Sequence, residues 1–506
     1  MFVRRKKNSS GSFSVQIVQK VGRINKVVKS LGSSFDESEL VILERQALLE
    51  IERMKGQSSL FSNDRDTNLK SVLSNVSNSE IELIGPDNIL GKIYESIGYH
   101  TIGLDELFRD LIMSRLVYPG SKLKTIDYLA RFKNKEISVY SIYRYMDKIH
   151  RNYKDRIEEL TFKHFKEVLG GNIGLIFYDM TTLYFEVPDE DDLRKIGYSK
   201  DGKHQHPQIK LGLLVGPDGY PLWYDIFEGS TYEGHTLIPV LKNIEKKFSI
   251  DKPIIIADAG LLSSANIDAL ISNGYKFVLG GKIKNESAEI KDKIQQLEVT
   301  EDKPREVKKD GYRLIVSFSE KRRKKDSHNR EKGIKKLEKK VKNGKLDKNS
   351  INNRGYNKYL KLESDIKVAI DYTKYEMDAR WDGLKGYLTN TSMKPVEVIA
   401  AYGKLWHIEK AFRISKTDLR IRPIYHRIPR RIETHICICF VSYAVFKELE
   451  RLLKISKAGF SATRAIELTK NMYQIKVFLP DSKTYTTIPL KPTEEQQELI
   501  SVIVKI

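Results

Sequence analysis

Cysteine is almost absent from this chain: Cys437 and Cys439 are the only two in 506 residues. Two thiols cannot staple a chain of this length, which excludes a disulfide framework and points to a reducing compartment. Long apolar runs are missing too. The longest candidate, ICICFVSYAVF at 436–446, falls short of the ~18 apolar residues of a membrane span. The amino-terminal MFVRRKKNSSGSFSVQIVQK is basic but lacks the apolar segment of a secretory signal. The expectation is a cytoplasmic, nucleoid-associated protein with no membrane partner. Acidic residues are in deficit, 67 against 88 Lys and Arg, and the resulting +21 favours a polyanionic partner.

A chain of this length exceeds one ordinary core, which stops growing beyond ~250–300 residues, and a hydrophobic content of 40% suffices for several units. Composition and periodicity divide it as follows. Residues 1–60 read as a basic arm, a hairpin and a helix from about Glu37 to Lys55, and 61–84 as a polar linker. Residues 85–168 have helical spacing, with Arg115, Lys122, Lys124, Arg131, Arg144 and Arg151 suggesting a helical DNA-binding domain; an ordinary domain with solvated basic faces fits equally well. From 169 to 283 the order is strand, hairpin around Pro217-Asp218-Gly219, helix, strand, helix, strand, the pattern of an α/β domain with a mixed sheet. Residues 284–380 form a basic, strand-rich insertion. Within it, Lys321–Lys348 carries 14 Lys and Arg against 4 acids, a density that favours contact with a nucleic-acid backbone, with Arg322, Arg323, Lys324 and Lys325 as candidates. Strand character returns at DGLKGYLTN, inside a second core segment at 381–455. A helical stretch from about Pro395 to Ile414 and an apolar helix at 432–453 follow, and 456–506 is a carboxy-terminal region.

Two aspartates stand out. Asp179 and Asp258 each close a run of bulky apolar residues, GLIFYD and PIIIAD, where a strand is expected to give way to a loop. Strand ends are where open α/β sheets bind ligands, and on neighbouring strands these carboxylates would repel unless a divalent cation lay between them. Oxygen-only ligation suits Mg²⁺ or Mn²⁺. A site for two ions needs a third carboxylate, and Glu409 is the best candidate: on a continuous helix, Tyr402, Leu405, Glu409 and Lys416 share one face.

These residues resemble the DDE-type insertion-sequence transposases, in particular the branch with a Tyr-x2-Arg-x3-Glu-x6-Lys signature. Tyr402, Glu409 and Lys416 match that spacing; Leu405 stands at the arginine position, with Lys404 beside it as a substitute cation. The blocks YDMTTLYFE, GYSKDGKHQHPQIKLGLLVGPDGYPL, EGSTYEGHTL, ADAGLLSSANI and DGLKGYLTN extend the resemblance over roughly 85–455, and the 151 positions from Asp258 to Glu409 accommodate the insertion that this branch carries. The resemblance implies an RNase H-like catalytic core interrupted by an inserted α+β subdomain and preceded by a helical domain. In it, Asp179, Asp258 and Glu409 hold two Mg²⁺ (or Mn²⁺) ions for in-line phosphoryl transfer. It further implies that Tyr402 and Lys416 contact phosphates near the element end, and that an aromatic side chain, Trp381 or Trp406, stacks on a displaced base. The implied partners are double-stranded DNA, as terminal inverted repeats and target, and a second copy of the chain in a synaptic complex.

Other motifs are weaker. His204-Gln205-His206 lacks a second pair of zinc ligands, HICIC has its cysteines on different sides of a helix, and LGGK at 279–282 lacks phosphate-loop spacing. A haloacid-dehalogenase-type phosphatase would need an acid where Thr181 stands. A metal-dependent nuclease and an inactive, DNA-binding repressor are the remaining alternatives.

Overall fold

The computed structural model describes residues 1–54, 72–74, 76–186, 188–197, 202, 205–248, 251–261, 263–344, 346, 348–363, 368–479 and 482–504. Much of the expected linker, 61–71 and 75, lies outside them, as does His204. The chain forms two compact units. One comprises Met1–Ile89, Ile126–Ile137 and Ala458–Ile506; the other, Leu90–Thr125 and Ser138–Lys457.

The first unit opens with an antiparallel sheet of β1 (Phe2–Lys7), β2 (Phe13–Val21) and β3 (Ile24–Ser34). Gly22, at φ +64°, supplies the conformation that the two-residue loop requires. Helix α1 (Glu37–Met54) lays Leu40, Ala47 and Ile51, spaced for one helical face, onto Val15 and Ile17. Strand β4 (Ile81–Leu83) follows.

In the second unit α2 (Glu106–Val117), α3 (Val139–Asn152) and α4 (Lys154–Val168) precede the sheet. Then come β5 (Leu175–Tyr184), β6 (Gln208–Val215), β7 (Pro221–Glu228), α5 (Leu237–Phe248), β8 (Ile254–Ala257), α6 (Ser264–Ser272) and β9 (Lys276–Gly281). The inserted segment supplies β10 (Arg305–Lys309), β11 (Tyr312–Phe318), α7 (Glu320–Lys342), β12 (Leu360–Leu362) and β13 (Val368–Ile370). Strand β14 (Leu384–Thr389), α8 (Pro395–Gly403), α9 (Trp406–Arg413) and α10 (Pro429–Ser456) complete it.

Eight of these strands make one sheet in the order β10-β11-β14-β9-β8-β5-β6-β7. Strands β5, β6 and β7 form an antiparallel meander, and β8 and β9 run parallel to β5. A meander followed by two parallel strands on its first strand's free side is an RNase H-like sheet. The insertion's β10 and β11 widen it through β14, so the sheet continues past the core strands. The β6–β7 turn is type I′, with Asp218 at φ +58° and Gly219 at φ +79°, as an Asp-Gly pair favours. Tyr443 on α10 donates to the Gly219 carbonyl at 2.7 Å and fixes that turn.

The structure corrects three expectations. Strand β5 does not end at Asp179: β6 pairs with it from Phe177 through Tyr184, and Thr181 and Thr182 are buried strand residues. The helix expected from Pro395 to Ile414 is interrupted after Gly403. Leu405 and Ile408 donate three residues back, to Tyr402 and Leu405, in a tighter turn that changes the phase between Tyr402 and Glu409. Arg115 and Lys122 are not on a solvated face, being 3% and 4% exposed. Arg115 donates to the Leu419 and Arg420 carbonyls, and burial beside Arg115 lowers the Lys122 amine to about 7.

Helix α10 is buried over most of its length and packs against α2, α3 and α4. Its Glu448 accepts from Arg451 at 2.6 Å and lies 3.3 Å from His164 Nε2. Burial alone would raise this carboxyl, but Arg451 and His164 outweigh it and hold the group at about 2. A depressed carboxylate pKa contributes stability above the unfolded value and loses it as pH falls toward the folded value. Glu448→Ala should therefore cost about 3–5 kcal/mol near neutrality, a deficit that shrinks below about pH 4.5. Urea unfolding of both proteins across that range checks this; a pH-independent deficit would contradict it.

The carboxy-terminal segment returns to the first unit. There β15 (Tyr473–Leu479) lies between β16 (Thr484–Pro489) and β4, all antiparallel.

Candidate active site

The parallel pairing of β5 with β8 runs from Leu175↔Ile254 to Tyr178↔Ala257. The next residue on each strand is the aspartate, so Asp179 and Asp258 stand at the same level of the sheet, on strands about 4.8 Å apart. β8 stops there while β5 continues. Beyond Tyr184, a parallel bridge joins Phe185 to Ile424. Asp179 is half-buried and accepts the Met180 amide at 2.7 Å; Asp258 is exposed.

Tyr402 at the end of α8 is 7% exposed and donates its hydroxyl to Asp258 Oδ1 at 2.8 Å. Burial and the adjacent carboxylate push this phenol well above its ordinary range, which keeps it a donor. Gly280 on β9 makes the approach possible: a Cβ there would lie 2.6 Å from the Tyr402 hydroxyl. That is the use of the first glycine in LGGK. Glu409 is exposed on α9, a helix that packs on β5. It acts electrostatically on Tyr402 and on Lys385, both of which also feel Asp258.

Lys385 on β14 had no signal in the sequence, because one lysine in a strand is ordinary and its neighbours come from distant segments. Its amine lies 4.3 Å from the Tyr402 ring centre and 5.2 Å from that of Tyr387. Burial and Arg322 lower its pKa, while Asp258 and Glu409 oppose the change.

The other candidates are dispersed. Lys404 is exposed in the helix break, Leu405 is buried, and Lys416 is half-buried in a π-helical turn, Ile414–Asp418. Arg322 lies 3.4 Å from Asp326 and Arg323 2.6 Å from Glu320, whereas Lys324 and Lys325 are exposed on α7. Trp381 packs on the core edge and lines a cleft of about 520 Å³ with Arg322, Lys282, Tyr356 and Lys385. Trp406 is 51% exposed, with its ring centre 4.1 Å from that of His407. Cys437 and Cys439 are buried within α10, and burial pushes the Cys437 thiol up to about 12.

The donor chemistry of Asp179, Asp258 and Glu409, oxygen alone, fits a hard divalent cation. They do not form a closed cage: among the described residues no three His, Cys, Asp or Glu side chains are near enough to hold an ion together.

The family model described as the transposase DDE domain matches residues 171–445, just over half of the chain. The chain belongs to the DDE transposase family. It is thus a metal-dependent DNA-processing enzyme, and the matched span contains all three candidate carboxylates and the basic insertion. A search of curated proteins finds no match. Among solved structures, the chain is similar to a piggyBac transposase in a synaptic complex with hairpin DNA, at 10% identity over 76% of each chain, with a TM-score of 0.38. It is also similar to a Mos1 transposase in a paired-end complex with the left transposon end, at 14% identity over 28% of this chain and 43% of that one, with a TM-score of 0.16. Among the described residues, no helix of this DDE transposase is long and apolar enough to cross a membrane.

Proposed function

We propose that this enzyme is an insertion-sequence transposase of the branch with the Tyr-x2-Arg-x3-Glu-x6-Lys signature. It binds the terminal inverted repeats of its element, cuts the ends and joins their 3′-hydroxyls to target DNA in a cut-and-paste reaction. The observation that carries the reading is the level that Asp179 and Asp258 share at one end of the sheet, where Tyr402 donates its hydroxyl to Asp258.

Asp179, Asp258 and Glu409 would hold two Mg²⁺ or Mn²⁺ ions. Bound there, the ions supply activation of the attacking oxygen and stabilisation of the leaving 3′-oxygen. Tyr402 orients Asp258 through its hydroxyl, a positioning role in place of the phosphate contact expected for it. Lys416 and Lys404 are left to meet phosphates, and buried Leu405 takes no part in binding DNA. Trp381 is favoured over Trp406 as the base-stacking residue, because it lines the cleft that also contains Arg322 and Lys385. Holding two ends together requires two copies of the chain.

The test is incubation of the full chain with a labelled element end, target plasmid and Mg²⁺, with joined product expected. Cleavage without joining would make it a nuclease, and binding without cleavage a repressor. On α7, Lys324→Ala with Lys325→Ala should weaken binding similarly for specific and unrelated duplexes and reduce the salt slope by about 2. Fluorescence anisotropy across a salt series measures this; an unchanged slope would remove α7 from the DNA path.

A further inference from the structure

Lys385 has no part in the two-ion reading, yet its amine lies against Tyr402, which holds Asp258. On β14 it pairs with Ser317 of β11, and the next residue, Gly386, pairs with Gly281 at the end of β9. Gly280 puts no side chain in the space beside Tyr402, where a Cβ would lie 2.6 Å from its hydroxyl. Tyr402 reaches Asp258 through that hydroxyl, and the Lys385 amine settles over the faces of Tyr402 and Tyr387. Lys385 also lines the cleft, whose wall carries Lys282, Lys284, Arg322 and Arg330 beside Asp326 and Asp382. Lys385 therefore neighbours both the Tyr402 that holds Asp258 and a cleft with a net excess of cations, on a flexible four-carbon stem.

We propose that Lys385 is a tethered counter-ion that makes metal loading depend on DNA. Without DNA, its ammonium offsets the charge of Asp258 and Glu409 and opposes entry of a divalent cation. When DNA docks, the ammonium transfers to a phosphate oxygen and leaves the carboxylates free for metal. The role rests on the assignment of Asp179, Asp258 and Glu409 as metal ligands. Lys385 acts as a positioning residue, through electrostatics and without touching the reacting atoms.

The experiment titrates Mn²⁺ into the full chain without DNA, following free Mn²⁺ by electron paramagnetic resonance, for wild type, Lys385→Met, Lys385→Arg and Asp258→Asn. Lys385→Met should bind Mn²⁺ about tenfold more tightly, because one repelling charge at short range is removed. Lys385→Arg should behave as wild type. In anisotropy measurements Lys385→Met should also lose about one unit of salt slope for DNA. A gain in metal affinity is not a consequence of misfolding, so the readout separates this role from a merely structural one. If Asp258→Asn weakens Mn²⁺ binding but Lys385→Met leaves it unchanged or weaker, the counter-ion role is overturned and the ligand assignment stands. If Asp258→Asn binds as wild type, the ligand assignment fails and the counter-ion role with it.

Discussion

Asp258→Ala is expected to abolish cleavage of an element end, a loss of at least about a thousandfold at saturating Mg²⁺ and DNA. Asp179→Ala and Glu409→Ala should do the same, since each removes a ligand from a site whose charge stabilisation supplies most of the rate. Stability should not fall in parallel. Asp179 and Asp258 stand at one level of the sheet, so removing Asp179 relieves repulsion in the metal-free protein, and thermal unfolding of Asp179→Ala should match or exceed wild type. Asp258→Ala also leaves the buried Tyr402 hydroxyl without its acceptor and should cost about 1–2 kcal/mol. Calcium should support DNA binding by wild type without turnover. The triple variant should be no slower than the singles, because groups acting through one site are not additive. Any single variant retaining a tenth of wild-type cleavage would show that its carboxylate is not a ligand.

The sheet was largely legible because its strands are nearly continuous apolar runs bounded by turn chemistry. GLIFY and PIIIA announce β5 and β8, and Pro217-Asp218-Gly219 announces the hairpin. The segment GNIGLIFYDMTTLYFE as a whole reads as a buried strand, but whether the strand stops at Asp179 was not legible. Its apolar run ends at Asp179, but its length is set by β6, about thirty residues further on, whose pairing carries the strand to Tyr184. The helix break at Lys404–Leu405 was hidden for a related reason: apolar spacing survives a short three-residue turn, so periodicity reports one helix where backbone hydrogen bonding makes two. Charge misled most at Arg115 and Lys122. A basic residue on a helix looks solvated unless its partner is known, and the acceptors of Arg115 are backbone carbonyls some 300 positions away. In the candidate site, each carboxylate announced itself locally, but the Tyr402–Asp258 bond, the Gly280 clearance and Lys385 join segments that only the fold brings together.

Those contacts support a second large effect, at Gly280. A methyl group there would fall 2.6 Å from the Tyr402 hydroxyl, 3.0 Å from the Ala259 amide nitrogen and 3.2 Å from the Ala259 Cβ. Ala259 follows Asp258 directly and cannot retreat without moving it, so the clash drives out either the phenol or the carboxylate it holds. Overpacking of this kind costs about 1–3 kcal/mol, and spent on geometry at the reacting centre it corresponds to a fall in cleavage of about 10–100-fold for Gly280→Ala. Tyr402→Phe removes the same hydrogen bond without strain and should lose about tenfold. If both act through Asp258, adding Tyr402→Phe to Gly280→Ala should cost little more, because the bond that it removes is already broken. Single-turnover cleavage by the four proteins of this cycle measures the coupling. Independent, multiplying losses would mean that Gly280 matters for the packing of β9 alone, and that Tyr402 holds Asp258 with no help from the glycine beneath it.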